Sequence, residues 1–128
     1  MIHQFELRVY YEDTDLAGIV YYANYLKFIE RARSEWVRAH GIDQVRMKAQ
    51  GTVFAVRRVE ADYLSPAKFD DQLVVETEPE QVTAARIVLK QVVKRSGEEL
   101  FTALVTLVAL NEAGHPVRLP ADLRLIMH

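Results

Sequence analysis

The chain has no cysteine. That excludes disulfides, thiolate nucleophiles and cysteine metal sites, and it fits a reducing compartment. Glycine and proline are scarce, five and four among 128 residues, and no stretch is low in complexity or repeated. Hydrophobic runs are short. The longest, Ala103–Leu110, is interrupted by Thr106 and is far too short to cross a bilayer. The N-terminal MIHQFELRVYY carries Glu6 and alternates instead of forming a basic region followed by an apolar core, so no signal peptide is expected. Net charge is −2 at pH 7, which argues against a nucleic-acid partner. The four histidines (His3, His40, His115, His128) are scattered and match no ligand spacing, so no metal is expected. Gly-x-Ser-x-Gly, Walker and dinucleotide-binding glycine patterns are all missing. The reading that remains is one cytoplasmic domain spanning residues 1–128, with a core small enough to benefit from an oligomer.

The chain is organised around Tyr10–Tyr25, YYEDTDLAGIVYYANY. Phe5–Tyr11 alternates, with Phe5, Leu7, Val9 and Tyr11 on one face, and reads as a strand. Glu12–Ile19 is a loop containing Asp13, Asp15 and Gly18. A helix follows over about Ala23–His40. Tyr22, Tyr25, Leu26, Ile29, Ala32, Trp36 and Val37 recur at its three- and four-residue spacing, and Gly41 is a suitable stop. Such a helix is on the order of 27 Å long, so covering its apolar side takes a broad sheet. An acid thus lies beside a helix N-terminus, where unpaired N–H groups and the dipole favour negative charge. That pairing could hold an oxyanion while the carboxylate attacks, or deprotonates a water.

Asp43–Gln50 reads as a short helix ended by Gly51. Val53–Leu64 is a strand whose alternation slips at Arg57–Arg58, which predicts a bulge. Ser65-Pro66 turns the chain. Leu73–Glu78, Arg86–Lys94 and Leu100–Leu110 are further strands, joined by Pro79–Thr83 and by Arg95–Glu99 with its Ser-Gly. Asn111–Pro116 reads as a turn, and Pro120–Met127 as a short helix or extended tail. Strands in series without crossover helices predict an antiparallel sheet packed on the helix, an α+β fold.

Tyr11-Glu12-Asp13-Thr14-Asp15, Gly18-Ile19-Val20-Tyr21-Tyr22 and Asn24-Tyr25 resemble the opening of the 4-hydroxybenzoyl-CoA thioesterase family. The closer likeness is to its branch of acyl-CoA thioesterases associated with the Tol-Pal system. The similarity continues through Glu30-Arg31-Ala32-Arg33, Phe54-Ala55-Val56-Arg57-Arg58, Tyr63-Leu64-Ser65-Pro66-Ala67 and Asp70-Asp71. The resemblance implies the hot-dog fold, an antiparallel sheet wrapped round one long helix. It implies a homodimer whose sheets join, often paired into a homotetramer, with active sites between subunits. It implies hydrolysis of an acyl-CoA or acyl carrier protein thioester to an acid and a free thiol, with no metal or organic cofactor. On this resemblance Asp15 carries the chemistry, the backbone N–H of Tyr22 holds the thioester carbonyl, and Gly18 lets the backbone pass close to the ligand. The Tol-Pal branch commonly has a histidine where this chain has Tyr22, so a histidine-assisted route is not available there. The family's basic cluster for the nucleotide phosphates matches Thr83–Arg86, where Arg86 is the one basic residue.

Asp15 can be read as a loop or capping residue, as a nucleophile, or as a general base. Asp13 reads as structural, hydrogen-bonding loop amides. A calcium loop counted from Asp13 fails, because position 5 is Ala17 and position 12 is Asn24. Tyr25 and the neighbouring aromatics are core by default, with some lining an acyl pocket. Glu30 is either a solvated helix charge or faces that pocket. Arg57 and Arg58 are surface charges, phosphate ligands or interface residues. The rival functions are a dehydratase of hydroxyacyl thioesters, which requires a histidine paired with an acid, and a non-catalytic acyl-thioester-binding protein.

Overall fold

The fold follows from a computed structural model that describes residues 2–125. Strand β1 (His3–Arg8) leads through a single 3₁₀ turn, Tyr11–Asp13, and an irregular loop into helix α1 (Asn24–Ala39). Helix α2 (Gln44–Ala49) follows, then strands β2 (Thr52–Tyr63), β3 (Gln72–Val82), β4 (Ile87–Arg95) and β5 (Glu98–Asn111). A two-residue strand β6 (Pro116–Val117) and a one-turn helix α3 (Ala121–Arg124) complete it. All pairings are antiparallel in the order β1-β3-β4-β5-β2, with β6 beside β5. This is the expected hot-dog arrangement, one long helix held against a curved antiparallel sheet.

Alternation decides which sheet face meets the helix. Ile87, Leu89 and Val93 of β4 and Phe101, Ala103, Val105, Leu107 and Ala109 of β5 are buried against Phe28, Ile29, Ala32 and Trp36 of α1. Gln91, like its neighbour Thr77 on β3, is polar and fully buried. Its amide donates to the Ile29 carbonyl and to Thr77 Oγ1, both at 2.9 Å, and it accepts from Arg33 at 3.0 Å. Satisfied on every side, it pins the middle of the helix to the sheet.

The expected elements are present, with local adjustments. Tyr11 leaves the β1 face and is exposed, because the 3₁₀ turn begins there. Strand β3 runs on through Pro79 to Val82. The proline sits at a register shift between Pro79 and Gln81, where a missing N–H is tolerated. Pro116 and Val117 do not end the turn but pair with Leu110 and Ala109. The tail is helical over Ala121–Arg124, and its expected last residues, 126 and 127, lie outside the described range. On α1, Leu26 belongs to the apolar stripe yet is exposed; of the aromatics expected in the core, Tyr25, Phe28 and Trp36 are buried, whereas Tyr21 and Tyr22, at the helix start, are exposed. The bulge in β2 falls between Val56 and Arg58, as the slip in alternation predicted.

Candidate active site

The loop before α1 is held by its own backbone. Asp15 N–H donates to Ile19 O at 2.9 Å, and Gly18 N–H to Asp15 O at 3.0 Å. This closes a tight turn in which Gly18 has φ +79°. A Cβ there would meet nothing within 4 Å, so the left-handed conformation, and not crowding from this chain, is what calls for glycine. Asp15 Oδ1 accepts Ala17 N–H at 2.9 Å. Among the described residues Asp15 Oδ2 has no partner.

Asp13 faces the other way. It is buried, accepting Tyr10 N–H at 2.8 Å and the Asn24 side-chain amide at 3.0 Å. The structure thus gives the two carboxylates separate places: Asp13 inside the loop, tying β1 to α1, and Asp15 on its outside.

Asp15 borders a cleft of about 360 Å³. The other walls are Ile19, Val20, Tyr22, Tyr25, Tyr63 and the turn Leu64–Pro66. Asp15 is the one charged residue among them, and no histidine lines the cleft. Two hydrogen bonds fasten the two sides. Val20 N–H donates to Ala67 O at 2.8 Å, within an antiparallel bridge of Ile19 with Lys68, and Ala67 N–H donates to Tyr25 Oη at 3.0 Å. Burial pushes the Tyr25 phenol up from its ordinary pKa, outweighing the opposing pull of its bond to Ala67. Tyr25 is thus both a core residue and the hinge-pin of the cleft wall.

At the helix start, Tyr21 N–H donates to Asp13 O at 2.9 Å and Asn24 N–H to Tyr21 O at 2.8 Å. The N–H groups of Tyr22 and Ala23 donate to no acceptor among the described residues. These are orphan donors of a helix N-terminus, and Tyr22 is one of the residues that line the cleft. The Tyr21 phenol is pushed up by its hydrogen bond with Tyr22, then by that phenol's charge, by burial and by the negative charge of Asp15.

Arg57, Arg58 and Arg86 are brought together, but elsewhere. With Glu60 and Gln81 they line a depression of about 280 Å³ on the sheet face turned away from α1. Arg58 is paired with Glu60 at 2.5 Å, leaving Arg57 and Arg86 without a carboxylate partner among the described residues. Glu30 is an exposed helix charge and does not line the Asp15 cleft. It shares with Leu26, Ile29, Arg33, Val56 and Val59 a trough of about 380 Å³ between α1 and β2. Tyr63, Leu64 and Ser65 are site residues that sequence reasoning did not single out. Their one signal was the Tyr63–Ala67 stretch shared with the family.

A family model described as the thioesterase superfamily matches residues 17–102. The acyl-CoA thioesterase YbgC of Haemophilus influenzae is 41% identical over 127 residues, covering 97% of this chain and 93% of that protein. The acyl-CoA thioester hydrolase YbgC of Escherichia coli O6:H1 is 36% identical over 107 residues, 84% of this chain and 80% of that protein. The crystal structure of a probable thioesterase from Bartonella henselae matches with a TM-score of 0.89 at 38% identity, covering 94% of this chain and all (100%) of that one.

Proposed function

The chain belongs to the thioesterase superfamily, and from that premise we propose that Asp15 and the first residues of α1 carry out its thioester chemistry. The chain is a thioester hydrolase acting on acyl-CoA. The observation that carries the residue assignment is the cleft itself. It is largely apolar, it holds one carboxylate, and it is lined by Tyr22, whose N–H is unbonded among the described residues.

In this reading the thioester carbonyl oxygen accepts the Tyr22 N–H. As negative charge grows on that oxygen, the bond and the helix dipole strengthen together, and the barrier falls by about 3–4 kcal/mol per good donor. Asp15 supplies one of two steps. As nucleophile, its carboxylate oxygen adds to the carbonyl carbon, the C–S bond breaks, and the thiolate leaves and takes a proton. Water then opens the anhydride, returning the carboxylate and releasing the acid. As base, Asp15 takes a proton from water, the hydroxide adds, and the proton passes to the departing sulfur. Neither route needs a histidine, consistent with Tyr22 at the position where a branch of the family carries one.

A homodimer formed along β2 supports the same site. β2 is an edge strand, and Val56, Val59 and Tyr63 on it and Leu64 just after it are exposed, an unprotected edge that a lone chain would have to manage. A second copy pairing there would roof the adjoining cleft and take Asp15 out of bulk water. Pairing of such dimers into a tetramer remains part of the proposal. Arg57, Arg58 and Arg86 would then hold the phosphates of CoA. A carrier-protein thioester is the alternative donor, and a cytoplasmic location suits either. Replacement of Asp15 by Asn tests the reading, with thiol release from a panel of acyl-CoAs as the assay.

A further inference from the structure

Tyr63 ends β2, paired in register with Phe101 of β5. Its ring lies flat on Phe101, centroids 4.9 Å apart and planes 8° apart. It meets the edges of Tyr25 at 5.5 Å and Tyr22 at 6.4 Å. Phe101 is fully buried, so the Tyr63 ring rests on an immobile part of the core. That seat aims the hydroxyl, which donates to the Tyr22 carbonyl at 2.9 Å.

The helix leaves this carbonyl spare. Leu26 N–H, four residues further on, is bonded at 3.1 Å to the carbonyl of Ala23 instead. The first turn is therefore tight, and Tyr22 O has no backbone partner among the described residues. Two peptide planes meet at the Tyr22 Cα. The plane that carries Tyr22 N–H is held by Asn24 N–H on the Tyr21 carbonyl at 2.8 Å. The next plane, which carries the Tyr22 carbonyl, is held by Tyr63 alone.

We propose that Tyr63 is a positioning residue for the hydrolysis: by anchoring the Tyr22 carbonyl it fixes the direction of Ala23 N–H, which joins Tyr22 N–H in polarising the thioester. It touches no reacting atom in this role. The proposal rests on the reading of the helix start as the carbonyl's donor. Anchoring acts twice. It stops the Tyr22–Ala23 plane from rocking, which preorganises Ala23 N–H at no cost during the reaction. It also polarises that plane, making Ala23 N–H, the other unbonded donor, stronger. Burial pushes the Tyr63 phenol up from its ordinary pKa, with the neighbouring Tyr22 and Tyr25 adding to it, so it remains a donor through neutral and mildly alkaline pH.

The test is Tyr63→Phe, which keeps the stacked ring and removes the hydroxyl, alongside Tyr63→Leu, which removes the ring. Losing one hydrogen bond that acts in the transition state predicts a kcat about 5- to 10-fold lower in Tyr63→Phe, with KM within about twofold. Thermal stability of Tyr63→Phe should stay close to that of the parent, while Tyr63→Leu should be less stable. The second readout is vibrational. An acyl-CoA labelled at the carbonyl carbon is bound to Asp15→Asn protein, with and without Tyr63→Phe, and its C=O stretch is read by isotope-edited infrared spectroscopy. The proposal expects a downshift on binding that shrinks when the hydroxyl is removed. A downshift unchanged by Tyr63→Phe, or an unchanged kcat, overturns the role of Tyr63 alone. No downshift even with Tyr63 intact overturns the helix-start donors on which it rests.

Discussion

Asp13 accepts the side-chain amide of Asn24 at 3.0 Å, which fastens the loop after β1 to the first residue of α1. Its other oxygen takes Tyr10 N–H at 2.8 Å. Asp13→Ala would leave two donors unpaired in a buried place. The expected cost is about 3 kcal/mol, a Tm lower by roughly 10 °C for a domain of this size. Calorimetry of the purified variant checks it, and a Tm within about 2 °C of the parent would place the loop's anchor elsewhere.

Two residues on, the outcome reverses. Asp15→Asn keeps an oxygen for Ala17 N–H and lies at the surface, so stability should be unchanged. Turnover should fall by at least about 100-fold, the usual worth of a positioned acid or base. A single turnover of the parent in ¹⁸O-water probes the routes. Label in the Asp15 carboxylate marks attack by Asp15 with the anhydride opened at its aspartyl carbon. Label confined to the product acid is shared by water activation and by opening at the acyl carbon, and there an Asp15 hydroxamate formed in hydroxylamine marks the anhydride.

The helix was legible because its apolar spacing and the Gly41 stop agree. The β2 bulge was legible because the alternation of Phe54 and Val56 changes phase before Val59. Strand β3 was cut short at Pro79, since nothing local shows that a bulge will accommodate the proline. Of the candidate site, Asp15 and Tyr22, with Gly18 in the turn between them, lie within one short stretch and were singled out together. Tyr63 was not, because it lies 41 residues from Tyr22 and reaches it through the pairing of β2 with β5. A register of that kind is a tertiary fact, and period-two alternation at Tyr63 reads the same whether or not a helix start lies opposite.

Asp71 holds the outer part of the cleft wall. Its carboxylate accepts Lys68 N–H at 2.8 Å and Arg95 at 2.7 Å. Burial pulls its pKa up, but the Lys68 amide and the Arg95 guanidinium together outweigh that and hold it below the usual carboxylate value. A pKa depressed on folding contributes stability above the unfolded value, about 4, and that contribution is lost as pH falls through the folded value. The urea midpoint should therefore decline as pH drops from about 5 to 3, and the decline should be shallower in Asp71→Asn. Parallel profiles for the two proteins would remove Asp71 from the acid response.

Val59 pairs with Val105 but stands open to solvent at the β2 edge, 40% exposed. A charge there costs a lone chain little, whereas it would be desolvated between two copies. Val59→Glu should therefore sediment as one 14.7 kDa chain where the parent sediments as a multiple of it. Activity should fall with assembly if the cleft is completed by a second copy. A parent that is itself monomeric and active would end the dimer proposal.

The arginines on the far sheet face make a claim that can be isolated from the chemistry. Arg57 and Arg86 lack carboxylate partners among the described residues, and Arg58 is shared with Glu60. If these groups hold the nucleotide phosphates, they act on binding before the thioester is touched, so their loss should raise KM and spare kcat. Arg57→Ala with Arg86→Ala should raise KM for an acyl-CoA about 10-fold, by the loss of two charge-assisted contacts at an exposed site. The same variant should hydrolyse the matching N-acetylcysteamine thioester as the parent does, because that substrate keeps the thioester and lacks the phosphates. Raising the salt should weaken the parent's KM for acyl-CoA more than the variant's. Equal loss on both substrates would mean that the substitutions disturb the sheet. No loss on either would mean that the phosphates are held elsewhere.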